Sequence, residues 1–342
     1  MKEGFPETLP ATARGRTGGE RMRHLVLAFC TDPLKDPVAS HVLGRLLSSG
    51  IPWQDAGAGH VDGHPVLSAV IGETRCHLLQ LEDVLSHDYL RYAPLVNERF
   101  GDADAVVVVN WHEGRNAPDR IFTVQTTGDM DSGCFSPVDP ALTRALFLCV
   151  EAERQRAGLD AYATWMEATH WSGPLYRGQP GRLLSELRPS VIDLEIGSTP
   201  EAWSDPAAAE VLARALVALC ASGWEEAAVS LLCVGGVHFE PGFTQPLREL
   251  GAAEGLALSH VLPNHWLVAH GYDADGRLPD MLACARSIAG GVDAVVFHDN
   301  LKAGFKAQVR ALASELGVPA LSHRKLRAPG VAEAIRAART AA

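Results

Sequence analysis

The hydrophobic pattern of the chain alternates between short, nearly continuous apolar runs and longer segments in which apolar residues recur every three or four positions. The short runs predict β-strands at Leu25–Phe29, Ala105–Val109, Ile121–Gln125, Val191–Ile196, Val229–Val234 and Ala294–Phe297. The longer segments predict helices at Pro140–Arg156, Pro206–Ala221, Gln245–Glu254, Met281–Ala289 and Phe305–Leu316. Apolar strands separated by helices are typical of an α/β fold, with mainly parallel sheets and helices on both faces.

The pattern also suggests how the chain is divided. The stretch from Asp129 to Pro137 is rich in Gly and Asp and leads into a long helical segment, so it is the best candidate boundary. We expect an N-terminal α/β domain over residues 22–137 and a C-terminal α/β domain over residues 138–342. Residues 1–21 are polar and rich in Gly, Pro and Arg, which predicts a disordered leader, with Met22 as an alternative start. They have no apolar core of the kind that a secretory signal needs.

The composition narrows the class of protein. Hydrophobic residues make up 47% and charged residues 21% of the 342 residues, which is ordinary for a globular protein. We expect no membrane span, because no apolar run approaches eighteen residues. The seven cysteines are odd in number and have no paired spacing, which favours a reducing compartment and therefore the cytoplasm.

The charge of the chain is acidic overall but uneven. A net charge of −11 argues against a protein that coats nucleic acid, and we expect no DNA partner. From Asp299 onward, however, eight basic residues face three acidic ones. That basic end either contacts a phosphate backbone locally or is the solvated face of the last helices, and the sequence leaves both open.

Four histidines stand at equivalent places in the predicted sheets. His112, His170, His238 and His298 each follow a strand-like run by a few residues at most. Ligands of open parallel sheets bind outside the carboxyl ends of the strands, so these imidazoles are candidates for one common cleft. A single histidine is more often structural, but four at corresponding positions favour chemistry, either as metal ligands or as bases.

Three further features of the sequence are candidates for chemistry. Gly235 and Gly236 follow a buried strand and allow a close backbone approach to a ligand. Glu195 is an acidic residue in an apolar strand, where a buried carboxylate needs a metal, a histidine or a hydrogen-bond network as partner. Ser198 or Thr199 can cap a helix that starts at Pro200, and the same turn can receive an anionic or carbonyl group.

Taken together, five segments resemble the archaeal and plant D-aminoacyl-tRNA deacylases. They are Gly235–Thr244, Glu195–Trp203, Thr169–Pro174, Ser259–Asn264, and Trp111–Glu113 with Val124–Asp129. The resemblance runs in order from about Met22 to Pro319. It implies an N-terminal part like nucleoside phosphorylases and a C-terminal part like peptidyl-tRNA hydrolases. It also implies zinc-dependent hydrolysis of the ester that joins a D-amino acid to the 3′ end of tRNA.

The chain departs from the family at three chemically important positions. Gln125 stands where the family has a histidine, and Asn264 where the family has a lysine. The second histidine of a family pair is either replaced by Trp171 or displaced by an insertion. Such losses weaken a metal site or an anion clamp that is built from those side chains.

The resemblance and the residues together suggest roles for the candidate site. His112, His170, His238 and His260 are the expected zinc ligands, and His170 and His238 are also candidate bases. We expect Glu195 to orient a histidine or act as the base, and the N–H groups of Gly235 and Gly236 to meet the developing oxyanion. Substrate-binding residues are expected among Trp111, Trp171, Phe239, Ser198, Thr199 and Lys302. The aromatic ones either stack on a base or belong to the core.

The expected reaction is therefore hydrolysis of D-aminoacyl-tRNA by a monomer with zinc as cofactor. Three alternatives stay open at this point. The first is a family member that cleaves another aminoacyl ester or amide, which the changes at Gln125, Trp171 and Asn264 favour. The second is a protein that binds aminoacyl-tRNA without turnover. The third is direct processing of a nucleoside, although no glycine-rich phosphate loop supports it.

Overall fold

A computed structural model describes residues 22–114, 116–171, 180–224 and 229–340 of the chain. The expected leader, residues 1–21, and the end of the Thr169–Pro174 motif beyond Trp171 lie outside these residues. The strands are β1 Arg23–Cys30, β2 Gln54–Val61, β3 His64–Ile71, β4 Thr74–Leu81, β5 Ala105–His112, β6 Arg120–Thr126, β7 Gly128–Asp129, β8 Cys134–Phe135, β9 Ala163–Met166, β10 Ser190–Ser198, β11 Val229–Val234, β12 Leu256–Leu262, β13 Ala294–Phe297 and β14 Ala320–Ser322.

The helices are α1 Ala39–Leu47, α2 Tyr89–Phe100, α3 Pro140–Arg156, α4 Gly181–Glu186, α5 Pro200–Trp203, α6 Pro206–Ser222, α7 Pro241–Glu254, α8 Asn264–Ala269, α9 Leu278–Arg286, α10 Ala303–Leu316 and α11 Val331–Thr340. All six predicted strands and all five predicted helices are present, with ends that differ by a few residues. No helix in the described part of the chain is long and apolar enough to cross a bilayer.

The strands form two main sheets. The larger has eight strands in the order β2-β3-β4-β1-β5-β10-β6-β9, and the smaller has four in the order β12-β11-β13-β14. β1, β4, β5 and β10 run parallel in the large sheet, whereas β6 is antiparallel to β10 and β2–β4 form an antiparallel meander. The small sheet is parallel throughout. The expected α/β class is confirmed.

The boundary expected at residue 137 does not separate the two sheets. β9 and β10 follow that residue, yet both pair within the large sheet, so the chain passes to the small sheet only after Ser198. One hydrophobic cluster also contains side chains of both sheets, among them Val107 of β5 and Leu231 of β11. Helix α3, which the Gly- and Asp-rich stretch introduces, packs inside this shared core and not at the start of an independent unit.

A short bridging segment, Glu167–His170, joins the two sheets. The N–H of Glu167 donates to Val124 O in the large sheet at 3.1 Å, and that of Thr169 donates to Val261 O in the small sheet at 2.8 Å. The N–H of Ala168 donates to His238 O at 3.0 Å. The Thr169 hydroxyl in turn accepts from the N–H of Val261 at 2.8 Å. These bonds set the position of the segment relative to both sheets.

The isosteric change Thr169→Val tests this connection. It leaves the buried Val261 N–H without its hydroxyl acceptor, so we expect the free energy of unfolding to fall by about 1–3 kcal/mol. Urea denaturation with linear extrapolation measures the change. Thr74→Val is the matched control, because the Thr74 hydroxyl is equally buried but has no hydrogen-bond partner in the described part of the chain. An equal effect of the two variants would contradict the role of Thr169.

Candidate functional site

Three of the four strand-end histidines meet at one place. His112 is the last residue of β5, His170 follows β9 in the bridging segment, and His238 lies on the loop after β11. They meet around the carboxylate of Glu167, whose side chain is fully buried. The side chain of His238 is the most open of the four, at 29% exposure. Convergence at the carboxyl ends of the strands is thus confirmed for these three residues.

The imidazoles all direct Nε2 toward the same carboxylate oxygen. Glu167 Oε1 lies 2.8 Å from Nε2 of His238, 3.5 Å from that of His112 and 3.7 Å from that of His170. The second oxygen, Oε2, is buried and has no hydrogen-bond partner among the described residues. Sequence reasoning missed Glu167, although it stands three residues before His170 and directly after a strand. We call these four residues the histidine–glutamate cluster.

Burial and charge act in opposite directions within this cluster. Burial by itself raises the pKa of Glu167, but the imidazoles of His112, His238 and His170 outweigh it and hold that pKa at about 2. Burial lowers the pKa of His170 to about 4 against the attraction of Glu167, and it also lowers the pKa of His112. At neutral pH the cluster therefore combines an ionised carboxylate with at least two neutral imidazoles.

Hydrogen bonds on the far ring nitrogens orient two of the imidazoles. His170 Nδ1 donates to Ala168 O at 2.8 Å, which leaves the lone pair on Nε2. His112 Nδ1 lies 2.9 Å from the Ser198 hydroxyl. Thr199 caps α5 by accepting from the N–H of Ala202 at 3.3 Å. Ser198 and Thr199 thus have structural contacts of their own, and their expected contact with substrate stays a prediction.

Two other histidines lie outside the cluster. His260, expected as a zinc ligand, is fully buried, with Nδ1 3.0 Å from the Thr126 hydroxyl and Nε2 3.0 Å from that of Ser287. Both ring nitrogens are therefore engaged, and burial lowers the pKa of His260 to about 3, so we correct its assignment to a structural residue. His298 stacks on His323 beside the small sheet, with ring centroids 4.2 Å apart.

Glu195 also differs from expectation. Its carboxyl lies on the same face of the large sheet as the cluster, but its hydrogen bond comes from the Thr123 hydroxyl at 3.2 Å and not from a histidine. Burial raises its pKa well above the ordinary value, and the charges of Glu167 and Asp193 raise it further. A raised pKa disfavours the ionised form that would orient an imidazole or accept a proton, so the role of Glu195 as base stays a prediction.

The glycine loop is only partly available to a substrate. The N–H of Gly235 donates to Leu262 O at 2.7 Å, so it is not free to bind an oxyanion as expected. Gly236 has a φ of +76°, and a Cβ there would lie 2.5 Å from Glu240 Oε2. Both glycines are thus required by backbone conformation and close packing, and only the N–H of Gly236 keeps the predicted catalytic role.

The expected substrate-binding residues have different surroundings. Phe239 packs edge-on against His112 and His238, with ring centroids 5.2 and 4.8 Å away. Trp111 precedes His112 in β5, so it points to the opposite face and packs against the hydrophobic core. Trp171 is half-buried, and Lys302 is exposed at the start of α10. Trp266, which sequence reasoning missed, lies 4.9 Å from His170 between ring centroids.

The donor set of the cluster fits a zinc ion. One ligand atom each from His112, Glu167 and His238 lies within 4.8 Å of the other two. Donors that stand 2.0–2.1 Å from a tetrahedral Zn²⁺ are about 3.4 Å apart, close to the 3.5 Å between His112 and Glu167. Gln125, at the position of a family histidine, instead donates to His170 O at 2.8 Å and supports the bridging segment.

The chain is similar to proteins of one family in sequence. The D-aminoacyl-tRNA deacylase family profile matches residues 99–321, well over half of the chain. A D-aminoacyl-tRNA deacylase of Haloarcula marismortui is 31% identical over 177 residues, which are 48% of this chain and 35% of the relative. Another, of Methanoregula boonei, is 26% identical over 237 residues, 67% of this chain and 47% of the relative. The chain thus spans half or less of the length of these two curated relatives.

One solved structure supports the fold. A crystal structure of a conserved protein of unknown function covers 89% of this chain and 96% of its own, with a TM-score of 0.69 and 16% identity. A 5′-methylthioadenosine/S-adenosylhomocysteine nucleosidase of Campylobacter jejuni covers 59% of this chain at a TM-score of 0.36. The likeness of the C-terminal part to peptidyl-tRNA hydrolases stays a prediction. The profile match, extending from β5 to β14 through every residue of the histidine–glutamate cluster, shows that this chain belongs to the D-aminoacyl-tRNA deacylase family.

Proposed function

We propose that the chain hydrolyses the ester between a D-amino acid and the 3′ end of tRNA, releasing the free amino acid and tRNA. The observation that supports this most directly is the histidine–glutamate cluster, which three separate family segments assemble at one open edge of the sheets. An aminoacyl ester is already activated, so a positioned water is a sufficient nucleophile and no covalent intermediate is needed. We expect a monomer acting in the cytoplasm, where charged tRNA is found.

Zinc is the cofactor that we propose for this site. His112, Glu167 and His238 would hold the ion, since their ligand atoms lie together and Glu167 Oε2 has no other partner among the described residues. When bound, zinc lowers the pKa of water toward neutrality and polarises a carbonyl oxygen.

The protein itself supplies a proton acceptor beside that site. His170 keeps a lone pair on Nε2, because its Nδ1 hydrogen is committed to Ala168 O and burial holds its pKa at about 4. This nitrogen can take a proton from the attacking water and return it to the leaving ribose oxygen. The ionised Glu167, 3.7 Å away, stabilises the imidazolium while it exists. General base catalysis of this kind contributes about 10²- to 10⁴-fold.

Zinc content tests the proposed ligands. We expect one zinc per purified chain, measured by inductively coupled plasma mass spectrometry, and loss of most of it in His112→Ala and Glu167→Gln. The second change removes the charge of a ligand while keeping its size. His260→Gln is the matched control: a buried histidine of the same family segments that lies outside the cluster, so its zinc should stay. If His260→Gln lost its zinc and Glu167→Gln kept it, the assignment of Glu167 as a ligand and of His260 as a structural residue would be wrong.

Hydrolysis of D- and L-aminoacyl-tRNA tests the reaction. We expect turnover of the D-ester, and a fall of kcat/KM by at least about 10²-fold in His238→Ala, because the imidazole that touches Glu167 is lost. His298→Ala, which removes a strand-end histidine outside the cluster, should retain activity. Full activity of His238→Ala would refute the central assignment. Turnover of a simple aminoacyl ester or amide in place of the tRNA ester would point to a diverged substrate.

The Glu195→Gln variant tests whether Glu195 acts as an uncharged carboxyl or as a catalytic base. Burial and the neighbouring carboxylates raise the pKa of Glu195, which favours the uncharged carboxyl, and glutamine reproduces its size and polarity. We expect kcat/KM to change by less than about fivefold, which is 1 kcal/mol or less. A loss of 10²-fold or more with the fold intact by circular dichroism would restore Glu195 as an ionised participant.

A further inference from the structure

Trp266 stands next to the reacting centre but has no part in the chemistry proposed above. Its indole lies 4.9 Å from the ring of His170 and 5.8 Å from that of His238, measured between centroids. The side chain is partly exposed, so one part of the ring meets the cluster and another meets solvent. An aromatic surface in this position borders the space that a substrate of the cluster must enter.

The indole is held in place by its backbone. Helix α8 starts directly after Pro263, and the N–H of its first residue, Asn264, donates to Gly236 O at 3.0 Å. Leu267, the next residue after Trp266, is buried in the small-sheet core and anchors the helix there. Trp266 is therefore fixed relative to the loop that carries His238, which is what a preorganised binding surface requires.

One exposed side chain lies directly against Trp266. His265 is exposed, and its ring centroid lies 4.5 Å from that of Trp266. Val237, beside His238 in sequence, is 59% exposed. Exposed apolar and aromatic side chains near a polar reaction centre are typical of a surface that a ligand covers.

The other aromatic rings near the cluster are less suited to the same task. Phe239 is turned edge-on to both His112 and His238, with interplanar angles of 71° and 79°, and also packs near Trp165. Trp111 points to the opposite face of the large sheet. Trp266 is instead tilted by only 36° to the ring of His170. Its neighbour His265 is exposed, whereas Trp165, the neighbour of Phe239, is half-buried.

We propose that Trp266 stacks against the terminal adenine of the substrate, with the exposed ring of His265 beside it. This inference rests on the proposed function, because the ester of an aminoacyl-tRNA is carried by the ribose of that adenosine. When the carbonyl meets the histidine–glutamate cluster, the attached base lies only a few bonds away, within reach of the Trp266 indole. Stacking of a base on an aromatic side chain contributes about 1–3 kcal/mol and needs no base-specific hydrogen bonds.

Binding of a non-hydrolysable analogue tests the proposal without depending on catalysis. The probe is the D-phenylalanyl amide of 3′-amino-3′-deoxyadenosine, and D-phenylalaninamide is the comparison that lacks the nucleoside. We expect Trp266→Leu to weaken binding of the adenosine probe by about 5- to 150-fold, the equivalent of the stacking energy, with Trp266→Phe close to the wild type. Affinity for D-phenylalaninamide should stay the same in all three proteins.

The matched control is Trp53→Leu, which removes a half-buried tryptophan next to β2, at the far edge of the large sheet from β9. It should bind both probes as the wild type does. Wild-type binding of the adenosine probe by Trp266→Leu overturns the proposal. So does a loss on both probes in equal measure, since Trp266 would then merely position His170.

Hydrolysis separates this inference from the proposed function. Trp266→Leu should lower kcat/KM for D-aminoacyl-tRNA and spare a D-phenylalanine ethyl ester, which has no base to stack. If the wild type bound the adenosine probe through Trp266 but hydrolysed neither ester, the proposed function would be wrong and the proposal that Trp266 stacks on the adenine would be supported. If the wild type hydrolysed both esters and Trp266→Leu kept the wild-type kcat/KM for both, only the stacking proposal would be wrong.

Discussion

The buried carboxylate of Glu167 is the constraint on which the site depends. An ionised carboxyl without solvent costs several kcal/mol unless charges and hydrogen bonds compensate. Here a hydrogen bond comes from His238 on the loop after β11, at 2.8 Å, and His112 at the end of β5 and His170 in the bridging segment complete the surroundings. Because the bridging segment also donates backbone hydrogen bonds to both sheets, the electrostatics of one residue and the packing of the two sheets are coupled.

This coupling explains how the site can tolerate the departures from the family pattern. Gln125 does not belong to the cluster, and its amide supports the carbonyl of His170 from β6. Asn264 joins the glycine loop through its backbone N–H, a contact that does not depend on its side chain. The donor set of His112, Glu167 and His238 therefore remains complete although a histidine and a lysine of the family pattern are replaced.

The strands and helices that were predictable share one property: their side chains are buried on a regular period. The six apolar strands and the helix Pro140–Arg156 are such cases. β2 was missed because most of its residues are exposed and it is rich in glycine, so it has no alternation to detect. β12 was missed because Ser259 and His260 interrupt its apolar run, and both are buried polar groups whose partners lie on distant segments.

The sequence by itself determined the α/β class, the family and the choice of His112, His170 and His238 as candidates for one site, because periodicity and family motifs are local properties of the chain. Only the tertiary structure decided which polar residues meet. It placed Glu167 at the centre of the cluster, His260 between the hydroxyls of Thr126 and Ser287, and Glu195 beside the hydroxyl of Thr123. The reason is physical: the geometry of a ligand set and the pKa of its members depend on burial and on neighbours from the other sheet. The spacing of residues along one strand specifies neither the burial nor these neighbours.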